Sequence, residues 1–271
     1  MTASAGRPDQ GSRGTALYVY GIVRAGDDLG GLETATEGVG AGAPIELMSD
    51  GELAAIVGEV PLADFGQEVV MERIRDPAWL EEKVRAHEAV LEAVLPRAPL
   101  VPFRFGTVFT DEEQVRRMLR EHDQLRTTLD ELEGTFELGV KGFLEPDWVA
   151  VTTEPGEDEP ASAGTSYLRR KQRDLRVAEA RVESKLSLGA ESHDVLAAAA
   201  RDAVANPLQR PEATGRSGDM FLNGAYLVDA ARESEFHKAF ADLERRYAEL
   251  ATFELTGPWP PYNFVEAEGG L

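Results

Sequence analysis

The stretch that most constrains the fold is residues 100–109, which read LVPFRFGTVF. Val101, Phe103 and Phe105 recur at every second position, which is the period of a β-strand. Because the stretch is rich in aromatic and β-branched residues, we expect a strand near the middle of a sheet. Pro102 cannot donate a hydrogen bond to a neighbouring strand, so one side should open to an edge or a bulge near that point.

Arg104 is the exceptional residue of this stretch. A guanidinium between two phenylalanines needs a carboxylate, a row of carbonyl groups or an aromatic face as its partner. Arg104 therefore either stabilises the rim of the sheet or contacts a binding partner. The sequence leaves both interpretations open.

The net charge of −21 narrows the classes of partner. Nucleic acids and anionic membranes bind basic surfaces, so we expect neither as a partner. The 271 residues include no cysteine, which excludes disulfides, thiolate metal sites and cysteine nucleophiles. The sequence has neither the apolar core of a signal peptide nor a run of about 18 apolar residues, and we expect a cytoplasmic protein.

Apolar periodicity elsewhere predicts short strands that alternate with amphipathic helices. Asp76 and Pro77 are typical of a helix start, and Thr110 with Glu113 forms a capping box that begins a second helix. One long helix is expected over residues 166–206 unless Gly189 breaks it. Strands are expected at residues 17–23, 45–48, 53–60, 135–144, 220–229 and 252–255.

The two halves of this pattern predict an α+β protein with two two-layer domains. Each domain is expected to be a ferredoxin-like variant, with an antiparallel sheet and helices on one face. We expect a disordered tail at residues 1–14 and an N-terminal domain at residues 15–150. An acidic linker at residues 151–165 then leads to a C-terminal domain at residues 166–271, which ends in a proline- and aromatic-rich tail.

Signatures of catalysis are missing from the sequence. The four histidines lie far apart, and there is neither a G-x-S-x-G elbow nor a glycine-rich loop ending in Lys-Ser or Lys-Thr. His87 and His122 both fall on the apolar faces of predicted helices, and we expect His87 to be a packed histidine. The residues therefore do not indicate catalysis, although they do not exclude it, and we assign no catalytic residue and no metal site.

Residues 256–265, TGPWPPYNFV, place Trp259 among three prolines and Tyr262 shortly after them. Prolines restrict the unfolded backbone, so ordering such a segment costs little. The rings form either a lid over the core or a docking surface. We expect the prolines to end the preceding strand and lead back to the first domain, with Trp259 and Tyr262 packed near Phe103 and Phe105.

Several stretches, in order along nearly the whole chain, match a known family. They are LYVYGIV at residues 17–23, LVPFRFGTVF, ELGVKGF at 137–143, GTSYLRRKQ at 164–172, NGAYLVD at 223–229 and TGPWPPYNFV. In these stretches the chain resembles the F/L-type accessory proteins of gas vesicles. The resemblance implies a cytoplasmic two-domain α+β protein with no enzymatic activity and no cofactor. It also implies contact with the small hydrophobic shell protein, and with other accessory proteins, during gas vesicle assembly.

The candidate partner-binding residues are Phe103, Arg104, Phe105, Trp259 and Tyr262. The alternative function is a small-molecule-binding or catalytic protein that uses a cleft between the two halves. Arg104 would then hold an anionic ligand, and a histidine at position 87 or 122 would be the acid–base group. A deep pocket containing a histidine paired with a carboxylate would favour that alternative.

Overall fold

The computed structural model describes residues 14–32, 37–40, 42–122, 124–145, 163–216 and 218–265. The expected tail, apart from Gly14, and residues 151–162 of the expected acidic linker lie outside these ranges. The chain divides into two compact units. Unit 1 comprises Met1–Phe136 and Trp259–Leu271, and unit 2 comprises Glu137–Pro258. Each unit combines helices with a β-sheet, so the expected α+β class with two sheets is confirmed.

Unit 1 is built on a five-stranded sheet. Its strands are β1 (Thr15–Arg24), β2 (Ile45–Asp50), β3 (Leu53–Pro61), β4 (Val101–Pro102) and β5 (Val108–Phe109). Its helices are α1 (Leu62–Phe65), α2 (Gln67–Arg73), α3 (Pro77–Val94), α4 (Glu112–Glu121) and α5 (Gln124–Glu131). The strand order is β2-β3-β1-β4, and β5 also pairs with β1. The pairs β1–β3, β1–β4, β1–β5 and β2–β3 are antiparallel.

Residues 100–109 lie at the edge of this sheet, so the prediction of a strand near its middle is wrong. Only the two residues of β4 and the two of β5 pair in register with β1. Between them the Phe103 amide donates to the Tyr20 carbonyl at 2.8 Å, and the Thr107 carbonyl accepts from the Val19 amide at 3.0 Å. Gly106 has a φ of 89°, a left-handed conformation that turns the backbone away from the ladder. We call residues 101–109 the edge segment.

Both faces of the first sheet are buried, which corrects the expectation of helices on one face only. Tyr18 and Ile56 pack with Leu91 of α3 in one core. The alternate residues Val19 and Val57 point the other way and are equally buried, and α4 and α5 pack against β1, β2 and β3. A strand with a nearly continuous apolar run is typical of a sheet covered on both sides.

The N-terminal cap of α3 is the predicted one, and that of α4 lies one residue later than predicted. The Asp76 side chain accepts from the amides of Ala78 and Trp79, and Pro77 begins α3 as predicted. The cap of α4 is Asp111 rather than Thr110, because the Asp111 carboxylate accepts from the Gln114 amide at 2.9 Å. The expected single second helix is divided into α4 and α5.

Unit 2 contains a four-stranded sheet in the order β7-β8-β6-β9. Its strands are β6 (Thr135–Leu144), β7 (Asp202–Ala205), β8 (Met220–Asp229) and β9 (Ala251–Trp259). Its helices are α6 (Ala163–Ala197), α7 (Pro211–Thr214) and α8 (Glu233–Arg246). We expected β6 in the first domain, but it pairs with β8 and β9. In the described part of the chain, no helix combines the length and the apolar character needed to cross a membrane.

Helix α6 is the single long helix that was expected, without the break that the sequence left open at Gly189, and it ends earlier than predicted, at Ala197. A Cβ atom added to Gly189 would lie 2.4 Å from the carbonyl oxygen of Phe221 in β8. The glycine therefore allows the helix to pack closely on the strand. The chain then forms β7, which the sequence did not predict.

Strand β9 also differs from the prediction. It pairs in the second sheet as expected, but it runs through Pro258 to Trp259 rather than ending before the prolines. The strand order places β9 at the end of the sheet. An edge strand tolerates proline because its outward side donates no ladder hydrogen bonds.

Candidate functional site

The five predicted partner-binding residues belong to unit 1 and differ in their exposure to solvent. Phe103 is 7% exposed and lies in the core. Phe105 and Tyr262 are half-buried, and Arg104 is exposed. Trp259 is 37% exposed. The predicted set therefore contains two solvent-facing side chains and three that pack inwards to different degrees.

Arg104 lies in the part of the edge segment that leaves the ladder. Its carbonyl accepts from the Thr107 amide at 3.3 Å and from Thr107 Oγ1 at 2.8 Å, which fixes the local backbone. Within the described ranges, no carboxylate pairs with its guanidinium. A carboxylate was one of the three kinds of partner that the sequence left open for Arg104, so both interpretations of this residue remain predictions.

Phe105 connects the edge segment to an aromatic cluster in the core of unit 1. Its ring centroid lies 6.0 Å from that of His87, 6.2 Å from that of Trp79 and 6.3 Å from that of Tyr18. The His87 and Trp79 contacts are edge-to-face, the arrangement that aromatic quadrupoles favour. Phe105 therefore holds the backbone beside Arg104 in place.

A chain of hydrogen bonds runs below this segment and ends on Tyr262. The Gly106 amide donates to the Tyr18 hydroxyl at 3.0 Å, and that hydroxyl lies 2.9 Å from His87 Nδ1. His87 Nε2 lies 3.0 Å from the Tyr262 hydroxyl, which donates to Glu88 Oε1 at 3.0 Å. The bonds fit a neutral His87 that accepts at Nδ1 and donates from Nε2. Tyr262 thus anchors the C-terminal segment to α3.

Burial sets the charge states of this cluster. It lowers the pKa of His87 to about 4, while a hydrogen bond with the Phe103 backbone acts in the opposite direction. Burial also raises the pKa of Glu88, against the Tyr262 hydrogen bond, which lowers it. The pKa of Tyr18 is raised for the same reason. His87 is therefore neutral at pH 7, as the hydrogen-bond directions require.

Trp259 is 37% exposed, so it is not the buried lid that was one of the two predicted roles of this segment. Pro260 and Pro261 are buried in its place, and Tyr262 carries the ring that packs against the core. The reason is that β9 extends to Trp259, so the chain turns inwards only after that residue. More than a third of the Trp259 surface is therefore exposed to solvent.

The sequence alone did not reveal the roles of Tyr18, His87 and Glu88. His87 is the packed histidine that we predicted, with 0% exposure. Its partner Tyr262 lies 175 positions away in the chain, and no local pattern connects residues so distant. The two tyrosines of LYVYGIV were the available signal, since Tyr18 and Tyr20 both face the α3 side of the sheet.

The catalytic alternative needs a pocket that contains a histidine paired with a carboxylate. One surface groove is lined by residues of α6, and another mainly by residues of α3 with Glu37. Neither includes a histidine. His122 Nδ1 bonds to the Met118 carbonyl of its own helix at 2.8 Å. Among the residues that the structure describes, no three His, Asp or Glu side chains converge as metal ligands would.

Comparison with known proteins gives matches over nearly the whole chain. Residues 16–266 match the family described as "Gas vesicle synthesis protein GvpL/GvpF". Gas vesicle protein L of Streptomyces sp. (strain CB03234) is 34% identical, with 92% of each chain covered. Gas vesicle protein F1 of Halobacterium salinarum is 30% identical, with 94% of each chain covered.

Two crystal structures have a similar fold. The gas vesicle protein GvpF from Anabaena sp. PCC7120 has a TM-score of 0.66 at 20% identity, with 95% of this chain and 98% of that chain covered. The GvpF from Microcystis aeruginosa has a TM-score of 0.65 at 18% identity, with 92% and 98% covered. These likenesses extend over both units.

Proposed function

Because the chain belongs to the GvpL/GvpF family of gas vesicle synthesis proteins, we propose that its accessory role is to bind the principal shell protein and assist its assembly. We assign the exposed side chains of Arg104 and Trp259 and the half-buried Phe105 to the binding site, with Phe103 and Tyr262 packed behind them. The protein acts in the cytoplasm, in association with gas vesicles. Other accessory proteins are further partners, and the activity is not enzymatic.

The observation that supports this proposal best is the exposed Arg104 on a rigid backbone. Below it, Phe105 packs on the aromatic cluster and the Gly106 amide is bonded to Tyr18. A preorganised arginine next to an aromatic side chain is typical of the residues that dominate protein interfaces. Little conformational entropy is lost on binding when the backbone is already fixed.

The edge position and the net charge fit an apolar, aggregation-prone partner. β4 and β5 are only two residues long. A partner that binds this interrupted edge therefore has no continuous strand along which the sheet could be extended. The net charge of −21 keeps a complex with an apolar protein in solution. The order β2-β3-β1-β4 also supports a ferredoxin-like assignment for the first sheet, which we keep as part of the proposal.

The test is co-expression with the tagged shell protein followed by pull-down. The wild-type chain is expected to be enriched over an unrelated acidic protein. Arg104→Glu and Trp259→Ala are each expected to reduce the captured amount by about tenfold or more, as for interface hot spots.

Two matched substitutions control for charge and for exposed apolar area. Arg117→Glu makes the same charge change at an exposed arginine of α4, and Leu250→Ala truncates a side chain that is 37% exposed, like Trp259. Both are expected to leave capture unchanged. Equal capture of all four variants, or no enrichment of the wild type, would contradict the proposal.

A further inference from the structure

The turn in the edge segment is bonded to a buried hydroxyl. Gly106 has a φ of 89°, and its amide donates to the Tyr18 hydroxyl at 3.0 Å. The preceding residue, Phe105, packs its ring against His87 at 6.0 Å. His87 also forms a hydrogen bond with the backbone of Phe103. The edge segment therefore contacts Tyr18 or His87 at three of its residues.

The Tyr18 hydroxyl can hold the Gly106 amide only in one orientation. A phenol hydroxyl has a single hydrogen to donate. Tyr18 lies 2.9 Å from His87 Nδ1, and when its hydrogen points to that nitrogen, its oxygen is free to accept from Gly106. A proton on Nδ1 would displace the Tyr18 hydrogen, which would then face the Gly106 amide or lack an acceptor. The Gly106 bond therefore requires that Nδ1 carries no proton.

The position of the His87 proton is set by Tyr262. A neutral imidazole has one N–H, and the bond made by one ring nitrogen determines which nitrogen carries it. The Tyr262 hydroxyl lies 3.0 Å from His87 Nε2 and donates its own hydrogen to Glu88 Oε1 at 3.0 Å. Tyr262 consequently accepts from Nε2. The His87 proton lies there, and Nδ1 is left to accept from Tyr18.

We propose that Tyr262 is a positioning residue for the edge segment. Its hydroxyl fixes the tautomer of His87, which fixes the direction of the Tyr18 hydroxyl and so holds the turn at Gly106. Through this link the C-terminal segment keeps the backbone beside Arg104 in the conformation that binds a partner. The role in binding rests on the proposed function, whereas the link itself rests on the contacts within unit 1.

Tyr262→Phe tests the hydroxyl apart from the ring, because phenylalanine keeps the ring that packs on the core. His87 Nε2 then loses its acceptor, so a larger share of His87 is expected to carry its proton on Nδ1. The ¹⁵N chemical shifts of the two ring nitrogens distinguish these tautomers. The wild type is expected to show the Nε2–H form.

Hydrogen exchange of the Gly106 amide measures the far end of the link. Tyr262→Phe is expected to speed this exchange about three- to tenfold, which corresponds to the loss of one hydrogen bond. Amides of β3 report any loosening of the whole unit and are expected to change less than about twofold. Tyr226→Phe is the matched control, since it removes a hydroxyl that lies 3.0 Å from His193 Nδ1 in unit 2. It is expected to leave the exchange of Gly106 unchanged.

A double variant separates positioning from general stabilisation. Tyr18→Phe removes the hydroxyl that accepts from Gly106 and is expected to speed exchange at least as much as Tyr262→Phe. Adding Tyr262→Phe to it is expected to change the rate less than about twofold, because the link is already broken. Additive effects would mean that Tyr262 only stabilises the unit as a whole and would overturn the inference. An unchanged His87 tautomer or an unchanged Gly106 exchange rate in Tyr262→Phe would also overturn it.

Capture of the tagged shell protein separates this inference from the proposed function. Tyr262→Phe is expected to lower capture about threefold, because a less ordered edge segment loses more entropy on binding. If Arg104→Glu leaves capture unchanged while exchange and tautomer respond as expected, the proposed function fails and the positioning stands. If Arg104→Glu lowers capture but Tyr262→Phe does not, the role of Tyr262 in binding is refuted.

Discussion

His87 shows how a single buried residue links α3, the edge segment and the C-terminal segment of unit 1. Its two ring nitrogens face the hydroxyls of Tyr18 and Tyr262, and its ring stacks on Tyr20 at 5.6 Å. Burial of the ring makes its protonated form costly, and protonation would also place an N–H at Nδ1, where Tyr18 donates. The cost of that charge is the reason for the lowered pKa.

The first prediction concerns the pH dependence of stability. The pKa of His87 falls from 6.5 to about 4 on folding. Because the pKa of His87 is lower in the folded state, the contribution of the neutral ring to the free energy of unfolding is fully present above pH 6.5. It is lost as the pH falls through 4. The difference corresponds to about 3 kcal/mol. His87→Gln, which still offers an acceptor and a donor, is expected to reduce the loss of stability between pH 6.5 and pH 4 by about that amount.

Urea denaturation of both chains across this pH range measures the effect. Glu88 acts in the opposite sense, since its raised pKa favours the folded state at low pH, but it is common to both chains. His237→Gln is the control, because His237 is half-exposed beside Glu233. If the free energies of unfolding of His87→Gln and the wild type change equally with pH, the prediction that His87 is neutral and buried is wrong.

At the level of elements, the bulge in β1 determines how the edge segment meets the core. The β1–β3 register shifts between Val19 and Gly21, so Tyr20 is an extra residue and the side-chain alternation changes there. Ala16, Tyr18 and Tyr20 face α3 at the regular spacing of two, whereas beyond the bulge Val23 and not Ile22 belongs to this core; Gly21 lies opposite Pro102. A Cβ at Gly21 would lie 2.7 Å from Leu100 Cδ1 and 2.8 Å from the Val101 carbonyl oxygen.

We therefore expect Gly21→Ala to lower the free energy of unfolding by roughly 1–3 kcal/mol, the usual cost of overpacking. The Val101 carbonyl is backbone and cannot move without shifting β4. Gly26→Ala is the control, because a Cβ there meets nothing within 4 Å. Urea unfolding measures the free energy of unfolding of both variants. Equal values would mean that the edge segment shifts to accommodate the added Cβ at little energetic cost.

The C-terminal segment gives a second prediction at this scale. Tyr262→Ala removes a ring packed on the core and leaves His87 Nε2 without its partner, so we expect a loss of about 2–4 kcal/mol. Trp259→Ala removes an exposed ring, and we expect a loss below about 1 kcal/mol. Thermal and urea unfolding compare them. A larger loss for Trp259→Ala would restore the buried position that the sequence suggested.

The sequence predicted elements well where the signal was local. Asp76 with Pro77 gave the start of α3, and the alternation in LYVYGIV gave β1, because capping and periodicity depend on neighbouring residues. Pairing was harder to predict. Residues 100–109 have the composition of a central strand, yet Pro102 and Gly106 limit them to an edge. Among the site residues, Arg104 was found as the odd side chain, whereas its support through Tyr18 and His87 depends on contacts distant in sequence.

For the whole molecule, the division into units does not follow chain order. β6 was expected in the first domain because it follows α5 directly, but its strand neighbours β8 and β9 come much later. Unit 1 likewise contains both Met1–Phe136 and Trp259–Leu271. Local patterns cannot predict either fact, since each depends on which surfaces remain unpaired once the rest has folded.

The last prediction follows from the fact that unit 1 is formed by two separate segments of the chain. A chain that ends at Pro258 lacks Tyr262, so His87 and Glu88 lose their shared partner, and the core loses a packed ring. We expect faster hydrogen exchange in β1 and α3, corresponding to a loss of about 2–4 kcal/mol in local opening free energy. Exchange in β8 of unit 2 serves as the internal reference. A chain that ends after Val265 keeps Tyr262 and should exchange like the wild type. If the chain ending at Pro258 also exchanges like the wild type, then Tyr262 does not stabilise unit 1, and its ring would be free to serve the docking face directly.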